Sequence, residues 1–91
     1  MQVKYFAYIR DYTKCKECNE EYKSTLKELL HHLSSKYGNE FRNKALKNDG
    51  NDLGDEIIIL VNGRHVAHLA GIDTKLKESD IVQIFPVVAG G

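Results

Sequence analysis

Apolar and polar residues alternate from Gln2 to Arg10, in QVKYFAYIR. A side-chain period of two puts Val3, Tyr5, Ala7 and Ile9 on one face of a strand, and Lys4, Phe6, Tyr8 and Arg10 on the other. The first set suits a core, and the second mixes charge with aromatics. Residues 11–18, DYTKCKEC, are polar and turn-like, and a short strand over 19–23 would complete a hairpin. The period then changes. Leu26, Leu29, Leu30, Leu33 and Tyr37 recur at helical spacing as one apolar stripe. Thr25 and Glu28 form a T-x-x-E capping box at its start, and Gly38 stands where such a helix stops.

Further on, Phe41, Ala45 and Leu46 can anchor a short second helix, and NDGNDLGD reads as a loop. The near-continuous apolar run IIILV, 57–61, fits an interior strand. Asn62-Gly63 is a strong hairpin signal, with RHVAHL, 64–69, as the returning strand. GIDTKLKESD connects, with room for a helical turn, to a last strand, IVQIF, 81–85. Strands packed against one main helix predict a two-layer α+β domain. A single domain over residues 1–91 is expected at this length, large enough to bury a core without disulfides or metal.

Composition narrows the classes of function. Thirteen Lys and Arg balance 13 Asp and Glu, for a formal charge of zero. Such a chain has no general electrostatic reason to bind nucleic acid or an anionic membrane. No segment approaches the roughly 20 apolar residues that span a bilayer. The start, MQVKYFAYIRDY, lacks the apolar segment of a signal peptide, so a cytoplasmic protein is expected. No Ser-His-Asp set, paired-carboxylate cleft or phosphate-binding G-x-x-x-x-G-K-[ST] is present.

Cys15 and Cys18 form a C-x-x-C, a spacing that elsewhere marks zinc or a redox dithiol. Zinc wants about four ligands and a second cysteine pair is absent. His65 and His68 form H-x-x-H, but strand alternation would put them on opposite faces. The cysteines therefore read as two thiols in a hairpin loop, with metal or redox use as the alternatives. His31 and His32 lie off the leucine stripe, on a solvated surface. Residues 49–54 have the outline of a calcium loop, but Leu53 and Leu60 stand where oxygen ligands are required. No metal site and no bound cofactor are expected.

The chain ends FPVVAGG, residues 85–91. Two glycines can end a chain by chance. Here they follow YFAYIRD near the start and LVNGRHV before the last strand. Together these pieces resemble the MoaD/ThiS family of ubiquitin-like sulfur carriers, over essentially the whole chain. The most specific parts are F-P-x-V-A-G-G and the F-A-x-[IV]-R of Phe6 to Arg10. Val87 departs from the second proline common in MoaD-type tails. The length around residues 39–56 favours the MoaD-like branch.

The resemblance implies a β-grasp fold, a mixed sheet on one main helix. It also implies that the terminal carboxylate of Gly91 carries the chemistry. A C-terminal carboxylate has a pKa near about 3.5, so it is ionised and a poor acyl electrophile. An ATP-dependent adenylating enzyme would activate it, and a sulfur donor would convert the adenylate to a thiocarboxylate. The large subunit of molybdopterin synthase would then take the sulfur, for molybdenum or tungsten cofactor. A protein modifier joined to lysines, or a carrier for thiamine, tRNA thiolation or cysteine synthesis, shares the activation step and stays open.

Gly90 and Gly91 lack Cβ atoms and suit a narrow pocket. Pro86 is expected to end ladder pairing. Val87, Val88 and Ala89 would form the reach of a flexible tail, 87–91, at most about 17 Å long; plain disorder is the alternative. First and last strands are neighbours in a β-grasp sheet, so Phe6 and Phe85 would share an exposed partner-binding patch, unless a helix or loop covers them. Arg10 would add a rim charge, and His65 matches a position often apolar in the family's contact patch.

Overall fold

A computed structural model describes residues 1–87; Val88, Ala89, Gly90 and Gly91 lie outside the described residues. A five-stranded mixed sheet forms the frame. Its strands are β1 (Gln2–Tyr5), β2 (Glu17–Asn19), β5 (Ile57–Val61), β6 (Arg64–His65) and β7 (Ile81–Pro86). Their order is β2-β1-β7-β5-β6. β1 and β7 pair in parallel at the centre, and the other pairings are antiparallel. Helix α2 (Leu26–Tyr37) supplies the second layer. This is the expected α+β, ubiquitin-like β-grasp arrangement, with two short helices and a small hairpin added.

α2 forms as its sequence dictates. The Thr25 hydroxyl oxygen accepts the Glu28 amide at 3.2 Å, satisfying one of the free donors of the first turn. Leu26, Leu29, Leu30 and Leu33 are fully buried. They pack with Val3, Tyr5, Ile59, Val82 and Ile84 in one core. Gly38, at φ 101°, ends the helix. Helix α3 (Asn39–Ala45) follows directly and buries Phe41 and Ala45. The expected loop after it holds a two-stranded hairpin, β3 (Leu46–Lys47) and β4 (Asp52–Leu53).

Three expectations are corrected. The first strand stops at Tyr5 rather than Arg10. Ala7 adopts φ 51° and turns the chain, and Ile9–Thr13 form helix α1. Ile9 still reaches the core, but from a helical turn, while Ala7 faces solvent. Second, β2 is Glu17–Asn19, not 19–23. Third, the strand after Asn62-Gly63 spans only Arg64–His65, and Val66–His68 form a 3-10 turn. The two-residue turn itself is as expected: Val61 pairs with Arg64, and Asn62 and Gly63 take φ 51° and 83°, the positive values of a type I′ turn.

One buried ion anchors the sheet edge to the helix. Glu20 is 3% exposed. It accepts hydrogen bonds from the Tyr5 hydroxyl at 2.7 Å, the Tyr37 hydroxyl at 2.6 Å and the Lys36 ammonium at 2.6 Å. Burial alone would raise its pKa; the bonds from Lys36, Tyr37 and Tyr5 and the Lys36 charge outweigh it, so the carboxyl sits below the ordinary value. The phenol of Tyr5 is pushed up, by burial first and then by Glu20.

Candidate functional site

The C-terminal end of the β1–β7 pair gathers the predicted patch. Tyr5 is in register with Ile84, and the Phe6 amide donates to the Ile84 carbonyl at 3.1 Å. That pairing brings the Phe6 and Phe85 rings into a face-to-face stack, 4.1 Å between centroids and 9° between planes. Both are half-buried. Val82, Ile84 and Pro86 point to the core while Ile81, Gln83 and Phe85 face outward. The helix covers only the inner face, so the stack stays accessible.

The turn into α1 places Arg10 beside this stack. Its Nε donates to the Tyr5 carbonyl at 2.8 Å, and its guanidinium carbon stands 5.7 Å from the Phe6 centroid. A cation over a ring at this range is attracted by the ring quadrupole. The F-A-Y-I-R motif thus serves as a strand end, a turn and a helix start, not as a continuous strand.

Two residues of this face escaped the sequence reading. Ile58 is in register with Phe85, and Leu60 with both Gln83 and His65. Ile57, Ile59 and Val61 are buried, while Ile58 and Leu60 are half-exposed on the outer face. An apolar strip therefore runs from Phe6 across Phe85 to Ile58, with Leu60 and His65 on the neighbouring row. The signal available was the strand period itself: an apolar run with only one covered face must expose every second residue.

His65 lies where expected, at the far edge of that strip. Its Nδ1 accepts the Ala67 amide at 3.0 Å. The expected separation of His65 and His68 is corrected. The 3-10 turn brings their rings to 5.9 Å. Among the described residues, no group of three or more His, Cys, Asp or Glu gathers as a metal site.

The root of the tail is firmly tied. Pro86 is buried and in register with Ile57, and the Val87 amide donates to the Glu56 carbonyl at 3.0 Å. Pro86 therefore does not end the pairing. Lacking only its own N–H, it sits in the ladder while Val87 continues it. Val87 is 43% exposed. Glu56 in turn pairs with Lys44, whose ammonium lies 5.6 Å from the Tyr8 centroid. The partner-facing roles expected of Val88 and Ala89, and the reactive roles of Gly90 and Gly91, fall outside the described residues. Among the described residues, no helix is long and apolar enough to cross a membrane.

The two cysteines are not free thiols. The α1–β2 turn brings their Cα atoms to 6.5 Å and they form a disulfide.

Comparison with known proteins agrees with this geometry. The chain is 42% identical over 69 residues to a proposed sulfur carrier protein of Archaeoglobus fulgidus, covering 76% of each. It is 37% identical over 68 residues to small archaeal modifier protein 3 of Haloferax volcanii, covering 75% of this chain and 71% of that one. Among solved structures, a chain of the Amycolatopsis orientalis BexX/CysO complex superposes with a TM-score of 0.84 at 25% identity, covering 99% and 98%. A proposed molybdopterin converting factor subunit 1 of Pyrococcus furiosus superposes with a TM-score of 0.72 at 27% identity, covering 96% and 95%. The ThiS family model matches residues 3–91, and the chain belongs to that family of small sulfur carriers and ubiquitin-like modifiers.

Proposed function

We propose that this chain carries sulfur as a thiocarboxylate on Gly91 and delivers it as the small, non-catalytic subunit of molybdopterin synthase. The observation that carries the reading is the accessible Phe6–Phe85 stack, 4.1 Å apart, at the sheet end from which the diglycine tail leaves. A partner that docks on the stack receives the tail in the same encounter.

The chemistry begins outside the chain. An adenylating enzyme joins the Gly91 carboxylate to the AMP portion of ATP and releases pyrophosphate. A sulfur donor then displaces AMP, leaving a C-terminal thiocarboxylate. That sulfur attacks an acceptor carbon and displaces the carbon's leaving group; water then hydrolyses the thioester, which leaves the sulfur on the acceptor as a thiol and returns the carboxylate. The chain supplies no acid or base to these steps; it presents the tail and the docking face. Partners are the adenylating enzyme, the sulfur donor and the synthase large subunit, all met in the cytoplasm. ATP is the activating enzyme's substrate, and this chain binds no cofactor of its own.

Val87 in place of a second proline, and the 37% identity to a small archaeal modifier, favour one other reading, in which Gly91 is joined to lysines of other proteins. Co-purification separates the readings. A synthase large subunit held by the chain supports molybdopterin synthesis, and lysine-linked conjugates support modification. Thiocarboxylate formation on Gly91, read by intact mass, tests the step all of them need.

A further inference from the structure

The Cys15–Cys18 disulfide takes no part in the proposed carrier chemistry, and although both cysteines pack against the margin of the core, its short span gives it little weight as a cross-link. The entropy that a disulfide removes from the unfolded chain grows with the loop it closes, and this one closes a span of only four residues. Backbone hydrogen bonds tie the hairpin as well. The Tyr5 amide donates to the Lys16 carbonyl at 2.7 Å and the Glu20 amide to the Met1 carbonyl at 2.7 Å. Gln2, Val3 and Lys4 pair with Asn19, Cys18 and Glu17. Both cysteines are half-exposed, beside and on β2, the outer strand of the sheet.

The residues on either side of the two cysteines differ in charge. Exposed Lys14 and Lys16 stand beside Cys15 in the chain, whereas Glu17 and Asn19 stand beside Cys18. Cationic chain neighbours favour Cys15 over Cys18 as the leaving group. β2 runs antiparallel to β1, so Cys15 lies at the sheet end where β7 finishes. Two strand spacings, about 10 Å, separate that edge from the root of the tail.

We propose that Cys15 and Cys18 form a thiol–disulfide exchange site whose substrate is an external dithiol. One thiolate of the dithiol attacks Cys18 Sγ. A mixed disulfide forms, the Cys15–Cys18 bond breaks, and Cys15 leaves as thiolate. The second thiol, losing its proton to water, attacks the mixed disulfide and releases Cys18 as thiolate. The dithiol ends as its own disulfide. Two electrons pass to the chain, and two protons are taken up by the cysteines as thiols.

The test uses the full chain, closed with diamide, freed of the reagent and then treated with dithiothreitol without denaturant. N-ethylmaleimide quenches the reaction, intact mass counts the adducts, and far-UV circular dichroism follows the fold. Two adducts with an unchanged spectrum are expected, and none when the reduced chain is first returned to diamide. Adducts that appear only in denaturant, or only as the spectrum collapses, overturn the proposal, as does a reduced pair that diamide does not close. Thioredoxin reducing the pair faster than equimolar dithiothreitol marks a protein dithiol as the source; the reverse order marks a small one. Single variants test the polarity. Cys18→Ser, which keeps Cys15, is expected to react with glutathione disulfide about threefold faster at neutral pH than Cys15→Ser, and Lys14→Gln with Lys16→Gln should erase that advantage. Equal rates overturn the assignment of Cys15 as leaving group.

Discussion

Phe6 and Phe85 stack face to face across the parallel junction of the first and last strands, 4.1 Å apart and 9° from coplanar. The stack is positioned by backbone pairing, with the Phe6 amide on the Ile84 carbonyl. Removing either ring should leave the fold intact and weaken docking. Phe6→Ala or Phe85→Ala is expected to cost about 1–3 kcal/mol in binding to a synthase large subunit or adenylating enzyme. Calorimetric titration measures this, with circular dichroism as the control for folding. Unchanged affinity in a folded variant would remove the stack from the interface.

Ile58 extends the same strip, in register with Phe85. Ile58→Asp puts a charge on the outer face without touching the core positions Ile57 and Ile59. Docking should weaken by tenfold or more, on the order of 1.4 kcal/mol, while the unfolding midpoint moves little. A large loss of stability instead would mean that Ile58 serves the core.

Much of this was legible in the chain. Helix α2 carries its own signals, a capping box and an unbroken stripe, and Asn62-Gly63 dictates its turn locally. Phe6, Phe85 and Arg10 were readable because alternation and neighbouring strands bring them together. Ala7 was not. Tyr5 and Ile9 are four apart, which satisfies a strand period and a helical turn alike, so only the positive φ at Ala7 separates the two. Ile58 and Leu60 were hidden in a run with no polar partner to mark the outer face. Glu20 left no local trace, because its burial depends on Tyr5, Lys36 and Tyr37 from separate elements.

Glu20 gives the protein a defined acid response. Its folded pKa lies below the ordinary 4.5. The stability it contributes is therefore fully present above about pH 4.5 and is lost as pH falls through the lower folded value. Glu20→Gln should destabilise by about 1–3 kcal/mol at neutral pH, with the gap to the parent closing in acid. Urea melts across pH measure both. A gap that stays constant into acid would contradict the ionised Glu20. At the alkaline side, Tyr5 and Tyr37 have raised pKa values, so their contribution holds below pH 10 and declines above it.

Gly54 is fixed by close approach. A Cβ there would meet the Lys44 carbonyl oxygen at 2.0 Å, and the Gly54 amide donates to the Ala45 carbonyl at 2.9 Å. The obstructing atom is backbone and cannot swing aside. Gly54→Ala is expected to cost about 2 kcal/mol, seen as a lower thermal midpoint. A variant within about 0.5 kcal/mol of the parent, the usual range for surface changes, would show that the segment yields freely.

The central claim is that Gly91 carries the sulfur. The decisive measurement is intact mass spectrometry, with fragmentation, after incubation with ATP, a sulfur donor and an adenylating enzyme of this family. A chain carrying Cys15→Ser and Cys18→Ser keeps sulfur on cysteine from being mistaken for the product. The expected result is exchange of one oxygen for one sulfur on the C-terminal fragment, abolished when Gly91 is deleted. No exchange, or the same exchange on a chain lacking Gly91, would contradict the account.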